Sequence, residues 1–289
     1  MNDYRIPSEM FKDKNAKVIW GPVGGAQVTP KSLRYYEKNK KAALFRELVN
    51  KSCSYNPIYR RALRSYDRIY CINNETKKQI ESIIGKEVTL LPELALRDEY
   101  RNLPVTERHN GILKIVFVGR LIGKKGIAFL VDALSLMPED MEWELQIFGD
   151  GSDRELVRRH ITDSGIGSHV KLMGNRPFEQ ISEAYRDADI FVLPSLRETS
   201  GNVLLEAMAY AVPIVGFDMS FCSQLNDVGC GIFIDTEQPL DKIRKDFCDA
   251  IIRLASNASV RYSMGYKGYK WVNETLTWEN KFRTIYQED

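Results

Sequence analysis

The sequence predicts an α/β protein whose larger part is an open, parallel, doubly wound sheet. From residue 112 onward, short apolar runs typical of buried strands alternate with helical stretches, and repeated strand–helix units build parallel sheets. The 289 residues suffice for two domains of ordinary size. Residues 98–111 are polar, contain a proline and lack periodicity, which is typical of a linker. We therefore expect two α/β regions, 1–105 and 106–275.

Composition indicates a globular, cytoplasmic protein. The chain is 44% hydrophobic and 28% charged, and no apolar run approaches the roughly 18 residues that a membrane helix needs. No signal peptide is evident at the start. The five cysteines are scattered, without C-x-x-C spacing or a histidine partner, so we expect reduced thiols and no metal site.

Charge is unevenly distributed along the chain. Residues 1–105 contain 20 basic and 12 acidic side chains, whereas residues 106–289 contain 21 and 27. The excess is concentrated in residues 31–70, with 11 basic and 3 acidic side chains. Two interpretations fit this segment: solvated helices packed on a core, or a basic amphipathic surface that lies on anionic lipid. A nucleic-acid module is the least favoured hypothesis, and we predict no nucleic-acid partner.

The first region has an α/β order of its own. Its first strand runs into the sequence Pro22-Val23-Gly24-Gly25, where two glycines either make a tight turn or let a ligand approach. Basic helical segments follow and break near Asn56-Pro57. The predicted strands cover 18–21, 66–74 and 87–93, and the helical segments cover 31–65 and 76–84.

The second region repeats the strand–helix unit regularly, and a final helix follows it. Apolar runs predict strands at 112–121, 143–151, 169–174, 190–196, 213–218 and 229–235. Helical periodicity and its stop signals predict helices at 124–137, 153–164, 178–186, 202–211, 239–254, 260–272 and 278–286.

One strand–helix junction carries the chemistry, in the sequence RETSGNVLLEAMAYAVP at 197–213. Thr199 and Ser200 are favoured helix caps, and Gly201 permits close approach. The start of the helix leaves N–H groups free and carries partial positive charge, so it suits a phosphate. Glu198 and Glu206 flank that start and suit the hydroxyl groups of a sugar. The alternative is an ordinary capped helix with a surface glutamate.

These residues resemble the E-x7-E signature of the group 1 family of retaining glycosyltransferases, which have the GT-B fold. The resemblance implies that Glu198 lies beside the donor sugar and that Glu206 bonds the nucleotide ribose. It also implies that backbone N–H groups hold the donor diphosphate, at Ser200, Gly201, Asn202 and Val203.

A second motif follows the first strand of this region, in the sequence GRLIGKKG at 119–126. Its glycine spacing matches neither a dinucleotide fingerprint nor a P-loop. It is similar to the G-R-L-x-x-x-K-G pattern of the same family, which implies that Arg120 and Lys125 neutralise the diphosphate. With Glu198 they form the predicted catalytic set. A solvated basic loop is the alternative.

The resemblance assigns four further residues. The loop around Gly151 resembles a family loop that leaves room near the nucleotide, although a structural turn explains it equally well. Arg176 corresponds to the place where the family contacts the base. Gly24 and Gly25 belong to a loop on the acceptor side, and no histidine role is carried over because this loop has none.

The predicted function is transfer of a sugar from a nucleotide-sugar donor to a glycan acceptor, lipid-linked or not, in surface polysaccharide synthesis. We expect no cofactor, and peripheral contact with the inner membrane face through 31–70. The family has two domains of similar size, so we expect a truncated N-terminal domain (1–105), a complete C-terminal domain (106–275) and a C-terminal helix (276–289) that crosses back. A second chain could then supply the missing part. The alternative is a nucleotide-sugar-binding fragment or subunit, inactive on its own.

Overall fold

The computed structural model describes residues 3–7, 16–105, 111–199 and 201–286. Within these ranges the chain forms two separate parallel sheets with helices packed against them, one of three strands and one of six. The predicted α/β class with parallel sheets is confirmed. No helix of the described ranges combines the length and the apolar character needed to cross a bilayer.

The smaller sheet has the order β1-β2-β3. Its strands are β1 (Ile19–Val23), β2 (Arg68–Cys71) and β3 (Thr89–Leu90), and its helices are α1 (Lys40–Tyr55), α2 (Pro57–Arg64) and α3 (Asn74–Ile84). The predicted break between the basic helices lies at Asn56, whose side chain accepts hydrogen bonds from the first N–H groups of α2. Proline at the first position of α2 needs no hydrogen-bond partner for its nitrogen, so the sequence favours a helix start here.

The larger sheet has the order β6-β5-β4-β7-β8-β9. Its strands are β4 (Leu113–Val118), β5 (Trp143–Phe148), β6 (Val170–Gly174), β7 (Ile190–Leu193), β8 (Ile214–Phe217) and β9 (Gly231–Ile234). The helices are α4 (Ile127–Leu134), α5 (Arg154–Asp163), α6 (Phe178–Asp187), α7 (Asn202–Ala209), α8 (Leu240–Ala255), α9 (Ala258–Thr275) and α10 (Trp278–Tyr286). The order reverses between β4 and β7, and such a switch point opens a crevice at the carboxyl ends of the strands.

Apolar side chains cover both faces of the larger sheet. On one face, the rings of Phe129, Phe217 and Phe247 contact each other edge to face, with centroids 4.9–5.8 Å apart. On the other face, a second cluster includes Tyr185 from α6 and Leu204 from α7. A parallel sheet buried on both faces holds its loops rigidly, which positions the side chains at its carboxyl edge.

The chain crosses between the two sheets more than once. Residues Lys31–Tyr36 form a 3₁₀ helix whose Leu33 is buried in the core of the larger sheet. In the opposite direction, α10 contacts the smaller sheet, and the Tyr70 hydroxyl donates to the Thr284 carbonyl at 2.9 Å. The two sheets therefore share contacts through both segments.

The start of one helix differs from the sequence-based expectation. The helix expected from residue 124 begins at Ile127, after a 3₁₀ turn over Gly123–Lys125. Gly126 has φ +70°, and a Cβ there would lie 1.8 Å from the Pro194 carbonyl oxygen. The chain must turn before the helix because the loop after β7 passes directly against it.

Candidate active site

The two predicted motifs lie at the same edge of the larger sheet. β4 and β7 are neighbours, with Val116 opposite Phe191, so the loops that follow them leave from adjacent points. The Leu196 N–H donates to the Lys124 carbonyl at 2.9 Å, which ties one loop to the other. The structure therefore brings both corners together at the switch point of the sheet.

The side chains of Lys125 and Glu198 form an ion pair between these loops. Each side chain is only 14% exposed. The other donors to the Glu198 carboxylate are the Ser195 hydroxyl and the Thr199 N–H, both at 3.1 Å. Burial alone would raise the pKa of Glu198, but Lys125 and these hydrogen bonds outweigh it, and the pKa lies below its ordinary value. Glu198 is therefore an ionised hydrogen-bond acceptor.

Positive charge exceeds negative charge at this edge. Arg120 is exposed and, within the described residues, its side chain makes no hydrogen bond or ion pair. Burial lowers the pKa of Lys124, and the neighbouring cations Lys125 and Arg120 lower it further, although Glu198 opposes them. Three cations around one carboxylate leave a surplus that suits a multiply charged anion.

The start of α7 adds backbone donors to the same edge. The residue before this helix is Gly201, with φ +59°, and none of the described side chains caps it. The prediction that Thr199 or Ser200 caps the helix is therefore wrong for Thr199, and Ser200 lies outside the described residues. Among described groups, no acceptor bonds the N–H of Asn202 or Val203. These groups remain open to an anion.

Glu206 lies on α7 with a different set of neighbours from Glu198. Its carboxylate accepts a hydrogen bond from the Tyr185 hydroxyl at 3.0 Å. Burial raises its pKa, although Tyr185 and Arg97 partly counteract the rise. The side chain therefore faces α6 and the segment before the larger sheet, and it stands apart from the Lys125–Glu198 pair.

Gly151 and Arg176 follow the strands on one side of β4. A Cβ on Gly151 would lie 2.4 Å from the Leu121 carbonyl oxygen, so close backbone packing accounts for this glycine. Arg176 is exposed and follows β6, which lies two strands from β4 or about 10 Å across the sheet. Within the described part of the chain, no hydrogen bond or ion pair links either residue to Lys125 or Glu198.

The loop after β1 reaches the site from the smaller sheet. A Cβ on Gly24 would lie 2.8 Å from the Thr199 methyl carbon, so the glycine permits close approach. Gly25 has φ +124°, and its carbonyl accepts a hydrogen bond from Arg5. The Gln27 side chain donates to the Glu198 carbonyl at 3.1 Å. Sequence analysis missed Gln27, because a single polar residue after a glycine turn carries no distinguishing pattern.

The described residues contain no group of three His, Cys, Asp or Glu side chains placed to hold a metal ion. The five cysteines are buried and unpaired. The site itself presents fixed cations, open backbone donors and one ionised carboxylate.

Fold and site define a class, that of an α/β protein with two parallel sheets and a cation-rich edge on the larger one. The model of the family described as "Glycosyl transferases group 1" matches residues 113–257, half of the chain. The chain therefore belongs to the group 1 glycosyltransferases, as the sequence resemblance predicted.

Two curated relatives are similar over different lengths. An uncharacterised glycosyltransferase of Methanocaldococcus jannaschii is 22% identical over 245 residues, which cover 80% of this chain and 62% of the relative. The amylovoran biosynthesis glycosyltransferase AmsK of Erwinia amylovora is 31% identical over 139 residues, which cover 46% of this chain and 34% of the relative. The chain thus spans between a third and two thirds of these relatives' length.

Two solved structures share the fold. WaaG, a glycosyltransferase involved in lipopolysaccharide biosynthesis, is similar with a TM-score of 0.65 and 16% identity, over 93% of this chain and 78% of that one. HepE of Anabaena, solved in complex with UDP, is similar with a TM-score of 0.64 and 14% identity, over 89% of this chain and 70% of that one. At these identities the likeness concerns the fold alone.

Proposed function

We propose that this chain is a retaining glycosyltransferase that moves a sugar from a nucleotide-sugar donor to a glycan acceptor. The observation that carries the proposal is the surplus of cations around Glu198 at the switch point of the larger sheet, beside the open N–H groups of α7. Family membership supports a glycosyl transfer, and the UDP complex of HepE supports a nucleotide as the donor's leaving group.

The leaving diphosphate explains why positive charge is needed. During transfer, the bond from the sugar anomeric carbon to a diphosphate oxygen breaks, and its electron pair stays on the diphosphate. The acceptor oxygen forms the new bond on the same face of the sugar, and its proton passes to the departing diphosphate oxygen. Fixed cations and backbone donors stabilise the charge that develops on the diphosphate. The Arg120 side chain has no protein partner within the described residues, so it can bind a phosphate without breaking an existing contact. Lys125, in contrast, is already paired with Glu198.

The exposed arginine provides the direct test. Arg120→Ala should lower transfer by about 100-fold, because removal of one fixed donor to a developing anion typically costs that much. The matched control is Arg158→Ala, which removes an exposed arginine of α5 with only a weak ion pair. Transfer is measured with radiolabelled nucleotide-sugars of several bases and sugars. Equal turnover in both variants would contradict the proposal.

A second candidate is a nucleotide-sugar-binding subunit that transfers nothing on its own. The similarity of this chain to the solved GtfA/B complex, with a TM-score of 0.65 and 22% identity, supports it. Calorimetry with UDP-sugars beside the transfer assay separates the two candidates. Binding without turnover supports the subunit, and turnover by the purified chain supports the enzyme.

We also propose the pathway and the location. WaaG acts in lipopolysaccharide biosynthesis, so a role in surface polysaccharide synthesis with a glycan or lipid-linked acceptor fits this chain. Peripheral contact with anionic lipid is supported by α1, which exposes a row of apolar side chains among lysines. The exposed apolar residues of α1 and α2 are Leu44, Phe45, Leu48, Tyr55 and Ile58.

A further inference from the structure

Three arginines converge where the loop after β1 meets the Glu198 loop. Arg5 donates to the Gly25 carbonyl at 2.6 Å and to Asn50 of α1 at 2.9 Å. Arg197 directly precedes Glu198 in the chain. Arg46 lies on α1 one turn before Asn50, on the face that meets this loop. We call Arg5, Arg46 and Arg197 the arginine cluster.

The arginine cluster holds one positive charge without a partner. Arg5 pairs with Asp3 at 2.6 Å, and Arg197 pairs with Glu37 at 3.3 Å. The Arg46 side chain makes no hydrogen bond or ion pair anywhere in the described part of the chain, and its Nε is buried. The Nε of Arg197 is likewise buried and unbonded.

Unbonded guanidinium donors in a half-buried position are costly to the folded protein. A buried donor without an acceptor loses its hydration and gains nothing in exchange. Burial lowers the pKa of Arg46, and Arg197 and Arg5 lower it further by repulsion, which outweighs Asp3 and Glu37. Such an arrangement is stabilised when an oxyanion supplies the missing acceptors, since a guanidinium binds two oxygens at once.

We propose that the arginine cluster binds an anionic group, a phosphate or a carboxylate, carried by the acceptor. The position of the cluster assigns it to the acceptor. Arg5 and Arg46 come from the first part of the chain, on the predicted acceptor side, and Arg197 directly precedes Glu198. This inference rests on the proposed function for the existence of an acceptor. It adds the chemical class of the acceptor, which is anionic, since a neutral glycan would leave the surplus positive charge of the arginine cluster unpaired.

The test is a phosphate titration of UDP-saturated protein, in which UDP fills the proposed donor site. Inorganic phosphate is followed by calorimetry with wild type, Arg46→Gln and Lys51→Gln. Lys51 is the matched control, an exposed cation on the same helix. Arg46→Gln should weaken phosphate binding by about tenfold, the worth of a charged hydrogen bond. Lys51→Gln should bind phosphate as wild type does, and UDP affinity should be equal in all three.

Parallel titrations with glucuronate and glucose distinguish a carboxylate site from a phosphate site, and preference for either anion supports the proposal. Equal anion binding by Arg46→Gln and Lys51→Gln overturns it. If wild type does not bind UDP, the donor proposal fails, but the comparison of the two variants with phosphate alone still decides the cluster. Thermal unfolding adds a check, because Arg46→Gln removes no side-chain bond and relieves an unpaired charge, so the free protein should be at least as stable as wild type.

Discussion

At the scale of single residues, the Lys125–Glu198 pair is the centre of the site. Both side chains are largely buried, and Glu198 takes two further hydrogen bonds from its own loop. A buried pair is worth little compared with an apolar pair, but removal of one partner leaves a buried charge uncompensated. Substitutions here therefore act on stability as well as on any chemistry, unlike substitutions of the exposed Arg120.

Lys125→Met should destabilise the protein by about 3 kcal/mol at neutral pH, because Glu198 remains buried without its cation. Lys125→Met combined with Glu198→Leu should recover part of that loss. The free energy of unfolding is measured by urea titration. The matched control is Lys245→Met, which breaks an exposed pair worth at most about 1 kcal/mol. A Lys125→Met loss no larger than that of the control would contradict the prediction.

The pH dependence of the same comparison has a defined sign. The pKa of Glu198 in wild type lies below its ordinary value of 4.5. Its stabilising contribution is therefore present above about pH 4.5 and disappears as pH falls through the folded-state value. The gap between wild type and Lys125→Met should shrink in acid, and a gap that stays constant down to pH 3 would argue against it.

Sequence alone identified the residues of the pair but not their supporting contacts. Lys125 and Glu198 were predicted because each stands in a motif at the end of a strand. The hydrogen bond from Gln27 to the Glu198 carbonyl joins positions 171 apart in the chain, and no local pattern encodes it. The same holds for the ion pair of Arg197 with Glu37.

At the scale of elements, α1 departs from the usual pattern of a surface helix. Its buried residues are Asn50 and Cys53, whereas Phe45 is 69% exposed and Leu44 and Leu48 are each 57% exposed. These apolar residues are spaced three and four apart, so they lie on one face of the helix. Of the two interpretations of this segment, the exposed face supports contact with lipid.

Phe45→Ser combined with Leu48→Ser should reduce flotation of the protein with vesicles that contain anionic lipid. Less apolar surface would enter the interface, while the basic charge is unchanged. Binding of wild type should weaken as salt rises, since each basic residue near the surface contributes about 1 kcal/mol. The control, Leu156→Ser, alters an exposed residue of α5. Equal flotation of both variants, or none by wild type, would contradict lipid contact.

The starts of the helices show why the presence of an element was predicted better than its boundaries. Periodicity predicted α4, but its first residues are determined by contact with the loop after β7, near Pro194. Residues Lys31–Tyr36 were expected to belong to a helix of the smaller sheet. They form a separate 3₁₀ turn because Leu33 is buried against the larger sheet, which the local sequence does not reveal.

At the scale of the whole molecule, polar contacts hold the two sheets against each other. Gln224 donates to the Ile72 carbonyl at 2.9 Å, and the Ser220 N–H donates to Glu75 at 2.7 Å. From α10, the Lys281 amine donates to the Glu93 carbonyl and lies 5.1 Å from the Trp278 ring centre. The alternation of strands and helices predicted both sheets. It did not predict the hydrogen bonds between them, because these join residues far apart in the chain.

Because of Lys281, the free energy of unfolding should change with pH in the alkaline range. Burial lowers its pKa from the ordinary 10.5 to about 8, and Glu93 opposes that only in part. Between these values the unfolded chain binds one proton more than the folded protein, so the free energy of unfolding rises with pH by up to about 1.4 kcal/mol per unit. The neutral amine still donates to the Glu93 carbonyl, so deprotonation relieves the buried charge without loss of that bond.

Between pH 8 and pH 10, the free energy of unfolding of wild type should therefore rise by about 2 kcal/mol relative to that of Lys281→Met. Both are measured by urea titration at several pH values. Comparison with the variant cancels the tyrosines and thiols that titrate in both proteins. Lys270→Met serves as the control, because the Lys270 side chain is 63% exposed on α9, and the curve for this variant should run parallel to that of wild type. If the curve for Lys281→Met also runs parallel to that of wild type, the Lys281 amine is hydrated in solution. The close contact between α10 and the smaller sheet then does not persist there. A gain confined to the Lys281 comparison would instead show that α10 stays docked and keeps this amine out of water.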